Sequence, residues 1–548
     1  MTTRSAVLAV AAGLALADAS IVTLALPEIL RELHTTVEGV AAVIGLYTLV
    51  LAVVLLPLER AASRASVQVV GTCGFALLAV SSAACAAADS LPLLLVARGV
   101  QALGGAAGLV TAFELLGGAR GHGRRLWLWA AVFAAAVGPA IGGALTQAFS
   151  WRAIFVLQVP IAVAGAAAVL AGPRRAAGAV EQPADSAGFA LRPALALGLV
   201  SAALSAVLFL LVLLLVAGWD VSPLGAAAVV TVVPIAALVG ARIGGDQQTR
   251  AIAGCALVGG GVLALAWLPT ASVWWTIAPQ LLAGVGMGLA LTALSGGLLP
   301  ERTPRDAARL LTIRYAGIAA ILAIAAPIAA HQLTSATLTA REQGVALVLD
   351  ASLPPLEKIK LAPALLKGVE SDQPRTGLRR AVAAQRHRFS GADRVTYDTL
   401  GRRADETLTA AVGNAFRSSF LLAGAAGFLA ALLMLAGVRL AALVVTGAVA
   451  AGVPLAYAAL YRATAPEPPA ILDPCTAHRK APSGGGVTGV LQRQALVLLD
   501  KTACRLGSSR EELALALADK DDATRFQREH GVNPRTLGGL LQALLTGR

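Results

Sequence analysis

Residues 14–23 read LALADASIVT, and the fold turns on what the aspartate is doing inside that apolar run. Two readings compete. Ala17-Asp18-Ala19 follows a lone Arg4 and an apolar stretch, which is how a cleavable signal peptide ends. The same letters can be the middle of a membrane helix. Cleavage after Ala19 would leave SIVTLALPEIL, too short to cross a bilayer, and the apolar run continues past that point to Leu26. The stretch therefore reads as a first transmembrane helix with an acid at depth. A span beginning near residue 5 puts Asp18 about 20 Å along it, at about 1.5 Å per residue.

The rest of the chain agrees with a membrane setting. Of its 548 residues 57% are hydrophobic and 14% charged, against about 25% charge in a soluble protein. Mean hydropathy is +0.74. Apolar blocks of spanning length fall near 5–30, 37–58, 67–88, 92–117, 126–147, 152–172, 193–217, 222–243, 251–269, 274–297, 309–332, 416–437 and 440–461, thirteen in all. The net charge of +13 would suggest nucleic acid in a soluble chain. Here most arginines stand between apolar blocks, so the charge sets topology and no nucleic-acid partner is expected.

With the N-terminus inside, the inner loops hold Arg60, Arg64, Arg120, Arg124, Arg174, Arg242, Arg305 and their neighbours, while the short outer loops hold little beyond Arg31 and Arg152. That bias expects a multi-pass protein of the cytoplasmic membrane with a cytoplasmic N-terminus. It leaves 333–415 and 462–548 outside. All six lysines fall in these two segments, which large-domain translocation exempts from the positive-inside count. Cys475 and Cys504 are the two cysteines outside the spans. An exported pair in a small domain reads as a disulfide, with two unrelated thiols as the alternative.

The expected fold class is all-α: six plus six transmembrane helices, one extra C-terminal span and a small helical exported domain. The expected divisions are a first half at 1–172, a Pro/Ala-rich cytoplasmic linker at 173–192, and a second half at 193–437 that includes the exported loop 333–415. A thirteenth span at 438–461 and the tail 462–548 follow. Within the loop, ALVLDASLPPLEKIKLAPALLKGV and TGLRRAVAAQRHRF read as short amphipathic helices broken at Pro354-Pro355 and Pro374. In the tail, Ser508 or Ser509 with Glu512, and Asn533, are plausible helix caps.

At ADASIVTLALPEI, VARGVQALGGAAG and VGPAIGGALTQAFSWRAIFVLQVP the chain resembles the major facilitator superfamily, and within it the EmrB/QacA-like drug:proton antiporter branch. Asp18 and Pro27 stand where that branch has a D-x-T-I-V-N-V-A-L-P-like first helix, with Thr23 at the usual Asn. Arg98, Gln101 and Gly104 match an R-x-x-Q-G-x-G-like pattern, Ala102 replacing a glycine. Gly138, Pro139, Gly142 and Gly143 preserve G-P-x-x-G-G, the antiporter motif. Trp151, Arg152, Ile154 and Phe155 follow, with Gln158 in place of Asn. The signature inner loop reads LPLERAASRASVQ (56–68), in which only Glu59 and Arg64 align with the gating residues of the family.

The resemblance implies a proton-coupled secondary transporter exporting a hydrophobic, amphipathic or lipid-like small molecule. Asp18, Arg98 and Gln101 would be its coupling or substrate residues. Physical chemistry points the same way, because an ionisable group at membrane depth costs at least about 2.5–3.5 kcal/mol and tends to face a cavity or a partner. Desolvation favours a neutral carboxyl, so Asp18 could pick up and release a proton. Arg98 cannot be neutralised and needs a counter-charge. A structural ion pair is the plainer alternative for both. Proline and glycine at 138–143 imply a kinked fifth helix in close contact with a neighbour.

No ATP loop, nucleophile elbow or histidine pair at metal-ligand spacing is present, so no enzyme activity, cofactor or metal is expected. Expected partners are membrane lipid, protons and the substrate, with an exported protein partner possible through 333–415 or 462–548. A facilitator-derived receptor or scaffold that no longer transports is the competing reading.

Overall fold

A computed structural model describes residues 3–64, 66–117, 121–172, 190–298, 303–369, 374–435, 441–476 and 486–536. The linker expected at 173–192 falls outside the described residues except for its last three. So do 436–440, most of the helix expected after Asn533, and the inner-loop residues Arg120, Arg174, Arg175, Arg302 and Arg439.

The chain is all-α among the described residues. The first half comprises α1 (Thr3–Thr23), the short α2 (Leu26–Glu32), α3 (Val37–Arg64), α4 (Val67–Ala86), α5 (Leu91–Leu116), α6 (Gly121–Ala148) and α7 (Arg152–Leu170). The second half begins with α8 (Leu191–Val212), α9 (Pro223–Val230), α10 (Val232–Arg242), α11 (Gln247–Ala264) and α12 (Trp274–Ala293). It continues through α13 (Pro304–Asp350), α14 (Pro355–Val369), α15 (Pro374–Gln385), α16 (Gly391–Ala415) and α17 (Arg417–Met434). Then come α18 (Ala441–Thr464), α19 (Gly486–Leu506), α20 (Arg510–Ala518) and α21 (Lys520–His530).

Twelve helical stretches among the described residues are long and apolar enough to cross a membrane. The fifth expected span, 126–147, falls within α6, a helix of 28 residues that is not one of the twelve. The expected span 309–332 lies inside a longer helix. Its helix, α13, runs unbroken for 47 residues to Asp350. At about 1.5 Å per residue it is about 70 Å long, more than twice a hydrocarbon core of about 30 Å. Hydropathy falls after 332, but HQLTSATLTAREQGVALVLD contains no proline to stop the helix. It stops just before Pro354-Pro355, and α15 starts at Pro374.

Two compact units partition the chain. One comprises Met1–Ala217, Val221–His331 and Phe416–Ala463; the other Gly218–Asp220, Gln332–Ala415 and Thr464–Arg548.

Small residues hold the first unit together. With no apolar driving force between helices in lipid, close backbone approach and dispersion decide packing. A side chain at Gly104 would meet the backbone nitrogen of Leu78 at 2.5 Å, and one at Gly254 that of Ala290 at 2.4 Å. These contacts seat α5 on α4 and α12 on α11. α18 packs on α11 through Gly260, where an added Cβ would stand 2.2 Å from the Ala450 carbonyl oxygen. The Tyr457 hydroxyl on α18 donates to the Trp275 carbonyl at 2.8 Å.

The second unit has cores of its own. Leu361, Leu365, Leu378, Tyr397, Leu400 and Leu408 bury each other among α14–α16, with Phe389 stacked on Tyr397 at 4.4 Å. Arg375 and Arg379 both bind Asp405. Thr376 donates from its amide and its hydroxyl to Asp220 Oδ2. In the tail, Ala503, Leu506, Leu513, Ala516 and Phe526 form a second cluster. Ser509 caps α20 by accepting from the Glu512 amide at 3.0 Å. Cys475 and Cys504 are disulfide-bonded, with Cα atoms 5.0 Å apart.

Candidate functional site

Asp18 and Arg98 meet. Asp18 on α1 is 2% exposed and Arg98 on α5 is fully buried. Arg98 Nη2 lies 2.7 Å from Asp18 Oδ2, an ionic contact off the hydrogen-bond line. Arg98 Nη1 donates to Gln101 Oε1, three residues further along α5 and on the same helix face. Arg98 Nε donates to the Val43 carbonyl at 3.1 Å. The guanidinium stacks over Tyr47, 4.1 Å from the ring centroid. One cation is thus satisfied by a carboxylate, an amide, a carbonyl and an aromatic face, all supplied by the first half.

The rest of the network closes through residues that the sequence reading did not assign to the site. Gln158 on α7 donates from Nε2 to Asp18 Oδ1 at 2.8 Å. Its Oε1 accepts from Gln101 Nε2 at 2.6 Å and from Ser82 Oγ at 3.1 Å. Gln101 Nε2 also donates to Ser82 Oγ at 2.8 Å. Gln158 stood in the sequence only as a replacement for an expected Asn. Ser82 and Tyr47 gave no signal, since uncharged polar residues in spans are common. In this arrangement each Asp18 oxygen faces a partner, Oδ2 the Arg98 guanidinium and Oδ1 the Gln158 amide.

The proline–glycine run lies on a different contact. On α6, a side chain at Gly138 would meet Ser20 Oγ at 2.3 Å, and one at Gly142 the Ile21 carbonyl oxygen at 2.3 Å. A side chain at Gly143 would meet Ala227 Cβ at 2.4 Å and the Pro223 carbonyl oxygen at 2.8 Å. Pro139 lies in the same stretch of α6. This helix therefore touches α1 of its own half, two and three residues past Asp18, and α9 of the other half. Gln147 Oε1 extends the seam by accepting from the Leu224 amide at 3.0 Å.

Glu59 and Arg64 do not come together. Glu59 is buried near the end of α3, where Arg305, Arg60 and Arg309 supply the surrounding positive charge. Arg305 and Arg309 belong to α13 of the second half. Arg64 is exposed at the last residue of α3. At this end Phe113 and Trp127 meet edge-on at 5.0 Å and pack with Ala307 of α13. The halves thus touch at the Glu59 end and at the Gly143 end.

Among the described residues, one carboxylate–imidazole group gathers in space: Glu512, Glu529 and His530, at the ends of α20 and α21. His530 Nε2 is 3.0 Å from Glu512 Oε1, and Glu529 is exposed. The inner two satisfy each other.

Two helical halves, a buried charge pair inside one of them and a glycine seam between them are the architecture of a secondary-transporter fold. The profile of the Major Facilitator Superfamily matches residues 8–331, more than half of the chain, and the chain belongs to that superfamily. Among curated proteins it is 33% identical over 174 residues to the methylenomycin A resistance protein of Bacillus subtilis (strain 168), covering 31% of this chain and 37% of that protein. It is 33% identical over 150 residues to the multidrug resistance protein Stp of Mycobacterium tuberculosis, covering 26% of this chain and 28% of Stp. The match to the drug efflux pump JefA of the same species is 32% over 171 residues, covering 29% of this chain and 34% of JefA. The chain thus aligns with about a third of each relative's length. A crystal structure of a bacterial homologue of the human lysosomal transporter Spinster, inward-facing and occupied, superposes with TM-score 0.52 at 15% identity. It covers 78% of this chain and 96% of that one, and this likeness concerns the fold alone.

Proposed function

We propose that this protein is a proton-coupled exporter of a hydrophobic, amphipathic or lipid-like small molecule across the cytoplasmic membrane. The observation that carries this reading is the Asp18–Arg98 pair, fully desolvated at 2.7 Å in the middle of the first half. A purely structural span gains little from such a pair, because desolvation offsets much of the attraction. A group that must alternately hold and release a proton needs a partner of this kind.

In the proposed cycle, Asp18 is the proton acceptor and Arg98 the counter-charge of its ionised form. Protonation of Asp18 cancels the attraction and frees Arg98, which keeps Val43, Gln101 and Tyr47 as partners. Gln101 and Gln158 connect the two groups and follow the change. Gly138, Pro139, Gly142 and Gly143 let α6 slide on α1 and α9 as the halves rock about the site. Glu59 with Arg305 and Arg309 holds the halves together at the opposite end, and Arg64 is the exposed remnant of the same loop. The N-terminus is cytoplasmic by the arginine bias, α18 is an additional span, and the second unit lies outside the cell. The resistance and efflux names of the relatives support a drug-like cargo.

Transport or resistance profiling with and without Asp18 tests the reading. Cells expressing the native chain should gain resistance to at least one amphipathic compound and lose it with Asp18→Asn. No difference between native and empty-vector cells for any compound exported by the relatives would favour the scaffold reading.

A further inference from the structure

The hydrogen-bond and stacking partners of the Asp18–Arg98 pair described above all lie in the first half. A proton on Asp18 can bias the rocking of the halves only if a group of the second half interacts differently with the pair in its two charge states. Helix α13 supplies such a group. Its Ala307 and Leu311 pack into the cluster that holds Leu16, Leu109 and Phe113 of the first half. Ala308 and Leu311 also line one small gap with Leu55 and Leu109. Tyr315 stands one turn past Leu311 and two turns past Ala308, on the same helix face. The opposite face belongs to α8: a side chain at Gly198 would meet Ile313 Cγ2 at 3.3 Å, and one at Gly317 the Gly198 carbonyl oxygen at 2.2 Å. As the first and eleventh expected spans, α1 and α13 run the same way. One turn past Leu311 is therefore close to the level of Asp18, two residues past Leu16. Tyr315 is 4% exposed, and its phenol lies within electrostatic range of the Asp18 carboxylate and the Tyr47 hydroxyl.

The carboxylate has room for another donor. It offers about four acceptor sites. The Gln158 amide takes one, and Arg98 meets Oδ2 off the hydrogen-bond line. A hydroxyl bonds a carboxylate about twice as strongly as a neutral acceptor. The Tyr315 hydroxyl can thus distinguish the two charge states of Asp18, which its ring alone cannot. Among the described residues, the titratable and charged groups facing Asp18 are Tyr47 on α3, Cys85 on α4, Arg98 on α5 and Tyr315 on α13, with Arg314 beside the last.

We infer that Tyr315 is a positioning residue through which the second half responds to Asp18: its hydroxyl donates to the ionised carboxyl, draws α13 against α1 and α3, and lets go when Asp18 takes up a proton. The inference deepens the proposed function and rests on its proton-coupled rocking of the halves.

The test uses the full chain in lipid nanodiscs, with no cargo added. Spin labels are placed on Phe149→Cys and Trp274→Cys, exposed positions in the two halves, with Cys73→Ser to remove an exposed thiol. Double electron–electron resonance then reads the distance between the halves. With Tyr315 present, the ratio of the distance populations should change by about tenfold or more between about pH 5.5 and about pH 8, the effect of one hydrogen bond to a charged group. Tyr315→Phe, with an unchanged unfolding midpoint in sodium dodecyl sulfate, should leave a change of less than about twofold, as should Asp18→Asn. Tyr315→Leu, which also lacks the hydroxyl, takes its place if Tyr315→Phe does not fold. A folded Tyr315→Phe protein with the full response overturns this inference alone, because the ring then suffices. Distances that ignore pH with Tyr315 present, or a full response in Asp18→Asn, overturn it together with the proton-coupled reading.

Discussion

Removing one charge from the Asp18–Arg98 pair should cost very different amounts depending on which is removed. Asp18→Asn keeps the shape and an amide in place of the carboxylate, but leaves a guanidinium in a fully buried site. That cation cannot be neutralised, so the loss should approach the range for a broken buried pair, about 3–5 kcal/mol. Arg98→Met removes the donors to Val43 and Gln101 and exposes Asp18 to the same apolar surroundings. The carboxyl can take up a proton and become neutral, so the loss should be smaller, about 2 kcal/mol, mostly from hydrogen bonds. The double variant Asp18→Asn/Arg98→Met buries no charge and should cost about 2 kcal/mol, less than Asp18→Asn alone. The coupling energy should then be at least about 3 kcal/mol. Unfolding by sodium dodecyl sulfate in mixed micelles, followed by tryptophan fluorescence, measures all four proteins. Additive losses, or a double variant worse than both singles, would refute the reasoning.

Three other outcomes follow from the geometry. Gly142→Ala puts a methyl about 2.3 Å from the Ile21 carbonyl oxygen; it should lower stability by about 1–3 kcal/mol in the same assay, while Gly447→Ala, which meets nothing, should be neutral. Cys475→Ser opens a crosslink of sequence separation 29 and should destabilise the tail by about 3–4 kcal/mol, read as faster limited proteolysis of α19–α21. Burial lowers the Lys358 ammonium from 10.5 to about 8, its Nζ donating to the Leu349 carbonyl at 2.7 Å. The unfolded chain therefore holds more protons between these values, so stability of the second unit should rise as pH goes from 8 to 10.5, and Lys358→Met should abolish that rise. A flat or falling native profile would contradict the assignment.

The helical membrane core was legible because apolar blocks of spanning length leave few alternatives. Asp18 and Arg98 stood out as lone charges inside such blocks, and the proline–glycine run stood out by composition. Their neighbours did not. Gln158, Ser82 and Tyr47 lie on three other helices, and nothing in a linear pattern says which turn of each faces Arg98. Glu59 and Arg64 are five residues apart in sequence, yet one is buried and the other exposed, which depends on how far α3 runs before it ends. The end of α13 was not legible, because falling hydropathy marks where a helix leaves lipid, not where it stops.

Proton movement in proteoliposomes is the most direct test of the central claim. With a pH-sensitive dye inside the vesicles, addition of an exported amphipathic compound should drive proton flux through the native protein. Flux should be lost in Asp18→Asn and also in the better-folded Asp18→Asn/Arg98→Met variant. Substrate-driven proton movement that persists at the native rate without the Asp18 carboxyl would contradict the account.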